Sequence, residues 1–209
     1  MPAPTTSPKR AEILSAAADL ATAEGLEGLS IGVLAAEVGM SKSGLYAHFG
    51  SKQELQQAVV DHAAASFELA VLVAGAAATP GLPRLEALVE AWIRHVENSD
   101  YRGGCFFDAT SSEFGARPGP VRARLAELSR AWIAALAEQA ALAVRLGELT
   151  SETDPDRLTF QLHAYVTEAN WWGRLFDEPD AFSRARAAAA ATFDAHRPPR
   201  APKETPHDR

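Results

Sequence analysis

The stretch Leu29–Leu55, which reads LSIGVLAAEVGMSKSGLYAHFGSKQEL, decides the fold of this chain. Ser30 is a candidate N-cap for the first helix of this stretch. Gly39 ends that helix because glycine readily takes the left-handed conformation of helix ends. The apolar stripe of that helix has one-turn spacing and consists of Leu34, Ala35 and Val38. The pattern predicts one short amphipathic helix before position 39.

A second helix and the start of a third follow at once. Ser41 can cap the second helix, which turns Leu45 and Phe49 inward four residues apart, and Gly50 ends it. The segment Ser51–Glu54 reads Ser-Lys-Gln-Glu, the pattern of a capping box that opens a further helix. Two short helices joined by a tight turn predict a helix-turn-helix unit, whose second helix can enter the major groove of DNA.

This stretch resembles the DNA-binding domain of the tetracycline-repressor-like (TetR) family of transcriptional regulators. The matching residues are Gly25, Leu29, Ser30, Leu34, Ala35, Val38, Gly39, Ser41, Leu45, Tyr46, His48, Phe49, Ser51 and Lys52. The tract GMSKSGLYAHF, residues 39–49, is close to the most recognisable signature of the family. The resemblance covers roughly the first quarter of the chain, and the remainder matches in length and helical character only.

The resemblance implies a role for each exposed position of the unit. Lys42, Ser43 and Gly44 would lie nearest the bases, where Lys42 could donate to a guanine edge, worth ~1–3 kcal/mol of discrimination. Phosphate contacts would come from Ser30, Tyr46, His48 and Lys52. Two of these have a second interpretation, because Tyr46 could pack partly against the first helix and His48 could simply favour the helix dipole.

The charge of the chain does not by itself indicate a nucleic-acid partner. The net charge is −7, and the first 55 residues hold four basic and six acidic side chains. The four basic residues are Lys9, Arg10, Lys42 and Lys52. They lie at the entry to the first helix or around the second helix of the unit, where phosphates would be met. Lys9 therefore joins the predicted DNA contacts.

The remaining composition predicts a cytoplasmic protein with no membrane association. Cys105 is the single cysteine, so an intrachain disulfide is excluded and a reducing compartment is favoured. The N-terminal segment MPAPTTSPKR lacks the apolar core of a signal peptide. We expect no apolar stretch to reach the ~18–20 residues that a membrane span needs.

Helical spacing continues through the rest of the chain, and no strand pattern interrupts it. The sequence therefore predicts an all-α fold of about nine helices. The predicted domains are a flexible arm at 1–8, a helix-turn-helix DNA-binding domain at 9–55, a ligand-binding and dimerisation domain at 56–196 and a disordered tail at 197–209.

The resemblance further implies a ligand cavity within the second domain. Its candidate lining residues are Trp92, Phe106, Phe107, Trp132, His163, Trp171 and Trp172, with Glu168 or Asn170 as polar contacts. Each of these side chains could equally be simple core. Cys105 is expected to be a small buried hydrophobe, with a redox-sensing thiol as the alternative.

The family also implies a homodimer paired through the last two helices, about Pro155–Phe176 and Ala181–Ala195. The run Ala187–Ala191 suits a close helix approach, although a solvent-exposed alanine-rich helix would read the same way. The expected function is that of a ligand-responsive regulator, most often a repressor, released from a palindromic operator by a small organic effector. The alternative is a DNA-binding regulator with no small-molecule response.

An enzyme with an appended helix-turn-helix is the third interpretation, and the sequence disfavours it. It contains no nucleophile elbow, zinc-protease motif, phosphate loop or dinucleotide glycine motif. His62, His95 and His163 lack the spacing of metal ligands. Neither catalysis, a cofactor nor a metal is therefore predicted.

Overall fold

The computed structural model describes residues 8–199, and within that range the chain forms nine helices and no strand. The helices are α1 Pro8–Glu24, α2 Ile31–Glu37, α3 Lys42–Phe49, α4 Lys52–Ala76, α5 Leu82–Glu97, α6 Phe106–Phe114, α7 Pro120–Arg145, α8 Pro155–Leu175 and α9 Ala181–His196. The all-α prediction is confirmed. Residues 1–7 of the predicted arm and 200–209 of the predicted tail lie outside the described residues, while Pro8 begins α1.

The polar and glycine signals of the deciding stretch act as local helix boundaries. Gly39, with a φ of +64°, follows α2 and lets the chain turn into α3. Ser41 Oγ accepts a hydrogen bond from Gly44 N–H, and Ser51 Oγ accepts one from Glu54 N–H, each 3.1 Å long. The two serines therefore cap α3 and α4 as their positions predict.

Helix α4 is 25 residues long, and its segment Glu68–Val73 is π-helical. By length and composition, α4 is also the one helix among residues 8–199 that could cross a membrane. This corrects the expectation that no apolar stretch is long enough, because the 18 residues 59–76 contain only two charged side chains, Asp61 and Glu68. A single such helix is weak evidence for a membrane span, and α4 contributes Val59 and Val71 to the protein core.

The helices enclose two hydrophobic cores. The first is built on α1–α4, and it also takes Phe106 and Phe114 from α6 and Val121 and Leu125 from α7. The second joins the end of α4 to α5, α7, α8 and α9. Helices α4 and α7 supply residues to both cores, so the α1–α3 unit is packed against the larger helical body and not merely tethered to it.

Candidate nucleic-acid interface and ligand cavity

Helix α3 buries one face and leaves the opposite face open. Leu45 and Phe49 lie in the first core. The exposed residues of α3 are Lys42, Ser43, Tyr46, Ala47 and His48, and Gly44 is half-buried. Tyr46 is 49% exposed, so it lies at the surface and outside the core. The exposed residues of α3 thus form one open face, on the helix that a helix-turn-helix unit presents to DNA.

Ser30 and Lys42 lie side by side at the edge of this surface. A β-carbon built on Gly32 would stand 3.2 Å from Lys42 Nζ and 3.6 Å from Ser30 Oγ. The missing side chain at position 32 therefore lets the lysine lie across the start of α2. Ser30 is the N-cap of α2, but its hydroxyl makes no capping hydrogen bond. The Lys42 ammonium and the Ser30 hydroxyl therefore lie on the same side of Gly32, at the start of α2.

Lys9 and Lys52, the other two lysines of the predicted contact set, make internal contacts. Lys9 Nζ lies 3.1 Å from a Glu12 carboxylate oxygen and donates to the Val38 carbonyl over 3.3 Å. Lys52 Nζ donates to the Glu27 carbonyl and lies 3.5 Å from the carboxylate of the same residue. Both lysines hold parts of the helix-turn-helix unit together, while almost half of each side chain stays exposed.

Arg10 is a structural residue of the interface that the sequence patterns did not identify. Its Nη1 donates to the His48 carbonyl over 2.7 Å, and its guanidinium lies 4.4 Å from the centroid of the Phe49 ring. The arginine thus fastens the C-terminal end of α3 to α1 by a hydrogen bond and a cation–π contact. The only sequence signal was a second cation beside Lys9, because the contact joins residues 38 positions apart.

A cavity of about 290 Å³ lies between α4, α5, α6, α7 and α8. Four of the predicted lining residues meet there, namely Trp92, Phe107, Trp132 and His163. The Trp132 ring packs edge-on against Trp92 and Phe67, with centroid distances of 5.4 and 5.1 Å. Further lining residues that the sequence did not single out include Asp61, Phe67, Glu68, Leu72, Asp108, Arg124 and Leu128, together with Cys105.

Three predicted lining residues lie elsewhere. Phe106 is buried in the first core, one position before the lining residue Phe107. Trp171 lines an outer cleft against α6. Trp172 faces a groove between α8 and α9, where its Nε1 donates to Glu168 over 2.7 Å. Helical spacing identifies which residues repeat along a face, but it does not separate a cavity wall from a core or an outer surface.

Asp108 is a half-buried acid in the lining of the cavity. Asn170 Nδ2 donates to its carboxylate over 3.0 Å, and burial raises the pKa of Asp108 to about 6. Asn170 thus contacts the cavity indirectly, through this carboxylate. Burial also lowers the pKa of His163 and raises that of the Cys105 thiol to about 12. Cys105 is therefore an unreactive buried thiol, as expected for a small hydrophobe.

The mouth of the cavity carries an ion pair. Arg124 Nε donates to Asp61 over 2.8 Å, and Arg124 Nη1 lies 3.0 Å from the Glu127 carboxylate. Glu68, at the start of the π-helical segment, also lines the cavity. Among residues 8–199 no group of three His, Cys, Asp or Glu side chains has the arrangement of a metal site. The charged side chains that line the cavity are therefore the carboxylates of Asp61, Glu68 and Asp108 and the ion-paired guanidinium of Arg124.

Helix α6 connects the cavity to the α1–α3 unit. Its first turn carries Phe107 and Asp108, and its last turn carries Glu113. The Glu113 carboxylate accepts hydrogen bonds from Leu26 N–H over 2.7 Å and Glu27 N–H over 2.9 Å, in the loop that leads to α2. No sequence pattern indicates this contact, because the partners lie more than 80 positions apart.

A second connection joins α1 to the loop before α6. Arg102 binds Asp19 through its backbone N–H and its Nε, both over 2.7 Å. The next residue, Gly103, donates to Thr22 Oγ1 over 3.0 Å. A β-carbon at Gly103 would stand 2.0 Å from the Thr22 carbonyl oxygen, so only glycine permits this approach. Both ends of the α6 segment therefore hold the helix-turn-helix unit.

Comparison with known proteins identifies both halves of the chain. The model of the tetracyclin repressor-like C-terminal domain matches residues 81–189, and that of the tetR family of bacterial regulatory proteins matches residues 13–59. A comparison with curated proteins gives no match. The two family models together span the interface and most of the residues around the cavity.

Solved structures agree in fold. A TetR transcriptional regulator from Chloroflexus aurantiacus J-10-FL is 24% identical, with a TM-score of 0.82 over 90% of this chain and 95% of that one. SCO4454, a TetR-family regulator from Streptomyces coelicolor, is 20% identical, with a TM-score of 0.75 over 90% and 95%. AibR, solved in complex with isovaleryl coenzyme A and operator DNA, is 25% identical, with a TM-score of 0.72 over 91% and 99%. This chain belongs to the TetR family of bacterial transcriptional regulators.

Proposed function

We propose that this protein is a ligand-responsive repressor that binds a palindromic DNA operator as a homodimer and leaves it when a small organic effector binds. The observation that carries the proposal is the physical connection between the polar surface of α3 and the aromatic cavity, through α4 and α6. The protein acts in the cytoplasm as a regulator and has no catalytic role. Residues 9–55 form the DNA-binding domain and 56–196 the ligand-binding and dimerisation domain.

The DNA contacts divide by chemistry. Lys42 and Ser43 read base edges, and Gly44 lets the backbone approach the groove. Phosphates are held by Ser30, Tyr46 and His48, with Lys9 and Lys52 at the margins. The exposure of residues 42–48 supports this division, as does the free Ser30 hydroxyl beside Lys42. Internal contacts of Lys9 and Lys52 make their share of the binding energy smaller than that of Lys42.

The dimer forms through α8 and α9. One helix-turn-helix unit covers one half-site, so a palindrome requires two units about 34–36 Å apart or a multiple of that distance. Helix α8 carries an exposed apolar stripe with helical spacing, made by Phe160, Trp171 and Leu175, which are 75%, 50% and 58% exposed. Exposed alanines of α9, Ala187 and Ala191, add a flat apolar surface. An apolar face of this kind on a terminal helix pair favours burial against a second copy.

Effector binding changes the relative positions of the two helix-turn-helix units in the dimer. Helix α4 begins directly after α3 and lines the cavity with Asp61, Phe67 and Glu68. Helix α6 lines it with Phe107 and holds the loop before α2 through Glu113. An effector that binds one arrangement of these helices more tightly than another favours that arrangement and so changes the spacing of the two α3 helices. The size of the shift depends only on the difference between the two affinities.

A DNA-binding regulator with no small-molecule response is the competing function. A filled core would favour it, whereas the second core here contains a cavity of about 290 Å³. The AibR structure holds both isovaleryl coenzyme A and operator DNA, so one similar protein combines the two ligand types. These observations favour the ligand-responsive form.

Selection of bound sequences from random duplex DNA, followed by a ligand screen on the enriched duplex, tests the proposal. We expect an inverted repeat to be enriched and a subset of small organic compounds to release it. Enrichment of no sequence would overturn the DNA-reading role. An enriched inverted repeat that no compound releases, with no compound bound by the free protein, would favour the competing function.

A further inference from the structure

We infer that the cavity selects a lipophilic organic cation, such as an aryl-alkyl ammonium ion, with Asp108 as its counter-ion. The inference rests on the proposed ligand response and adds the chemical class of the ligand. Three features of the cavity point to it, namely aromatic walls, an excess of carboxylates and a half-buried acid, Asp108, that forms no ion pair within residues 8–199.

The walls supply aromatic surface from four helices. Phe67, Trp92, Phe107 and Trp132 come from α4, α5, α6 and α7 and pack on one another edge-on, with Phe67 lying 5.9 Å from Phe107 and 5.1 Å from Trp132 between ring centroids. Aromatic clusters of this kind bind ammonium groups by cation–π attraction, which strengthens when the group is desolvated. The remaining wall is aliphatic, through Leu72 and Leu128, and suits an apolar tail.

The charged lining residues favour a positive ligand. Asp61, Glu68 and Asp108 carry the negative charges, and among residues 8–199 Arg124 is the one arginine or lysine that lines the cavity. Arg124 is already compensated, because it binds Asp61 over 2.8 Å and lies 3.0 Å from Glu127. Burial lowers the pKa of His163, so that side chain is neutral at neutral pH. An anionic ligand would therefore meet a net negative lining.

Asp108 supplies the specific partner. Its carboxylate accepts a hydrogen bond from the neutral side-chain amide of Asn170 over 3.0 Å. Within residues 8–199 no lysine or arginine forms an ion pair with it. An ionised carboxylate buried without a counter-charge destabilises the protein, and an ammonium ion in the cavity would remove that cost. A neutral ligand of the same shape would leave the carboxylate uncompensated.

A pair of isosteric probes separates charge from shape. Benzyltrimethylammonium and neopentylbenzene differ only in the replacement of the quaternary nitrogen by carbon, and isovaleryl coenzyme A serves as the anionic probe. Calorimetric titration of the full-length protein without DNA at pH 7.5 measures each affinity directly. We expect benzyltrimethylammonium to bind at least tenfold tighter than neopentylbenzene, and isovaleryl coenzyme A not to bind.

Two variants test the counter-ion. Asp108→Asn keeps the acceptor for Asn170 but removes the charge, so it should weaken benzyltrimethylammonium binding at least tenfold and leave neopentylbenzene unchanged. Glu127→Gln, which alters a carboxylate on the outer side of Arg124, should change neither affinity. Circular dichroism shows whether each variant is folded.

The outcomes distinguish the ligand class from the general function. Equal or tighter binding of neopentylbenzene, tight binding of isovaleryl coenzyme A, or failure of all three probes to bind overturns the cationic class. In each case release of the selected operator by other compounds would leave the proposed regulator intact. Failure to enrich any operator would overturn the proposed DNA-binding function, but it would not change the ligand preference measured for the cavity.

Discussion

Lys42 is the cation of the helix-turn-helix unit to which we assign the largest share of the proposed DNA binding. Arg10 fastens α3, and Lys9 and Lys52 hold backbone carbonyls of neighbouring segments. The ammonium of Lys42 lies over Gly32, beside the uncommitted hydroxyl of Ser30. An acidic protein that still binds duplex DNA must gain its affinity from a few well-placed groups, because its overall charge repels phosphate.

Replacement of Lys42 by alanine should therefore weaken operator binding strongly. We expect a loss of about tenfold or more for Lys42→Ala, in line with the ~1–3 kcal/mol of one good base contact. Fluorescence anisotropy with the selected duplex measures the loss. Arg130→Ala removes a cation from the exposed face of α7 and serves as the charge-matched control, which should bind as the unaltered protein does. Equal affinity of the two variants would remove Lys42 from the interface.

Asp108 should make the stability of the protein depend on pH. Its folded-state pKa is about 6, above the ordinary aspartate pKa of 3.8, so the folded protein binds the proton more tightly than the unfolded chain. Protonation of Asp108 therefore stabilises the folded protein, and this stabilisation is lost as the pH rises from about 4 through 6. Asp108→Asn should raise the free energy of unfolding at pH 7.5 by about 1–3 kcal/mol.

Urea unfolding of the two proteins across this pH range measures the difference. The advantage of Asp108→Asn should shrink as the pH falls from 7.5 toward 4, where the wild-type carboxyl is protonated when folded. An advantage of the same size at both ends of the range would show that the carboxylate is not destabilised by burial.

Single residues were predictable from sequence where their role is local. Ser41 and Ser51 cap helices that begin one residue later, and Tyr46 lies outside the apolar spacing of α3. Arg10 and Asp108 were not predictable, because each acquires its role from partners distant in the chain. In the sequence, Asp108 is a carboxylate that follows Phe106 and Phe107, and this pattern does not indicate that it lines a cavity.

At the scale of elements, α6 connects the cavity to the helix-turn-helix unit. This nine-residue helix has the cavity at its first turn and the loop before α2 at its last. Because Glu113 accepts two backbone N–H groups that have no other described partner, a movement of α6 changes the position of that loop. The loop in turn carries the start of the helix-turn-helix unit.

Glu113→Gln should therefore weaken the coupling between effector and operator. The amide has one acceptor oxygen in place of two, so one of the hydrogen bonds from Leu26 and Glu27 is lost. We expect the factor by which the effector lowers operator affinity to fall at least threefold, with effector affinity of the free protein unchanged. Glu127→Gln is the control, since its carboxylate does not contact the helix-turn-helix unit. An unaltered coupling factor in Glu113→Gln would exclude this route.

The nine helices themselves were predictable, because caps, glycines and apolar spacing mark each one locally. Asp154, for example, caps α8 by accepting from two backbone N–H groups, as its place before Pro155 predicts. The π-helical segment Glu68–Val73 was not predictable, since it breaks no apolar pattern and contains neither proline nor glycine. It coincides with the cavity wall, a setting in which π-helical turns are frequent.

At the scale of the whole molecule, the apolar face of α8 and α9 should hold two protomers together. Trp171→Glu places a charge in the centre of that face, and we expect it to shift the protein from dimer to monomer and to abolish tight operator binding. Sedimentation equilibrium measures the first effect and anisotropy the second. Leu69→Glu alters a side chain that is 71% exposed on α4, away from this face, and should remain dimeric. A dimeric Trp171→Glu protein would place the interface elsewhere.

The distribution of aromatic residues across the molecule was only partly predictable. Four of seven predicted side chains line the cavity, one lies in the first core and two face outward on α8. Trp171 and Trp172 illustrate the reason, because adjacent positions on one helix point to different partners. Apolar character alone does not decide between a cavity, a core and a subunit interface, since burial stabilises all three.

The number of protomers bound to the selected duplex tests most directly whether the protein recognises DNA as a dimer. Sedimentation velocity should compare a duplex carrying both half-sites with one in which a single half-site is scrambled. We expect two protomers on the intact duplex, and a loss of affinity of at least a hundredfold on the scrambled one, with Lys42→Ala weak on both. One protomer bound equally well to either duplex would rule out paired α3 helices as the means of recognition.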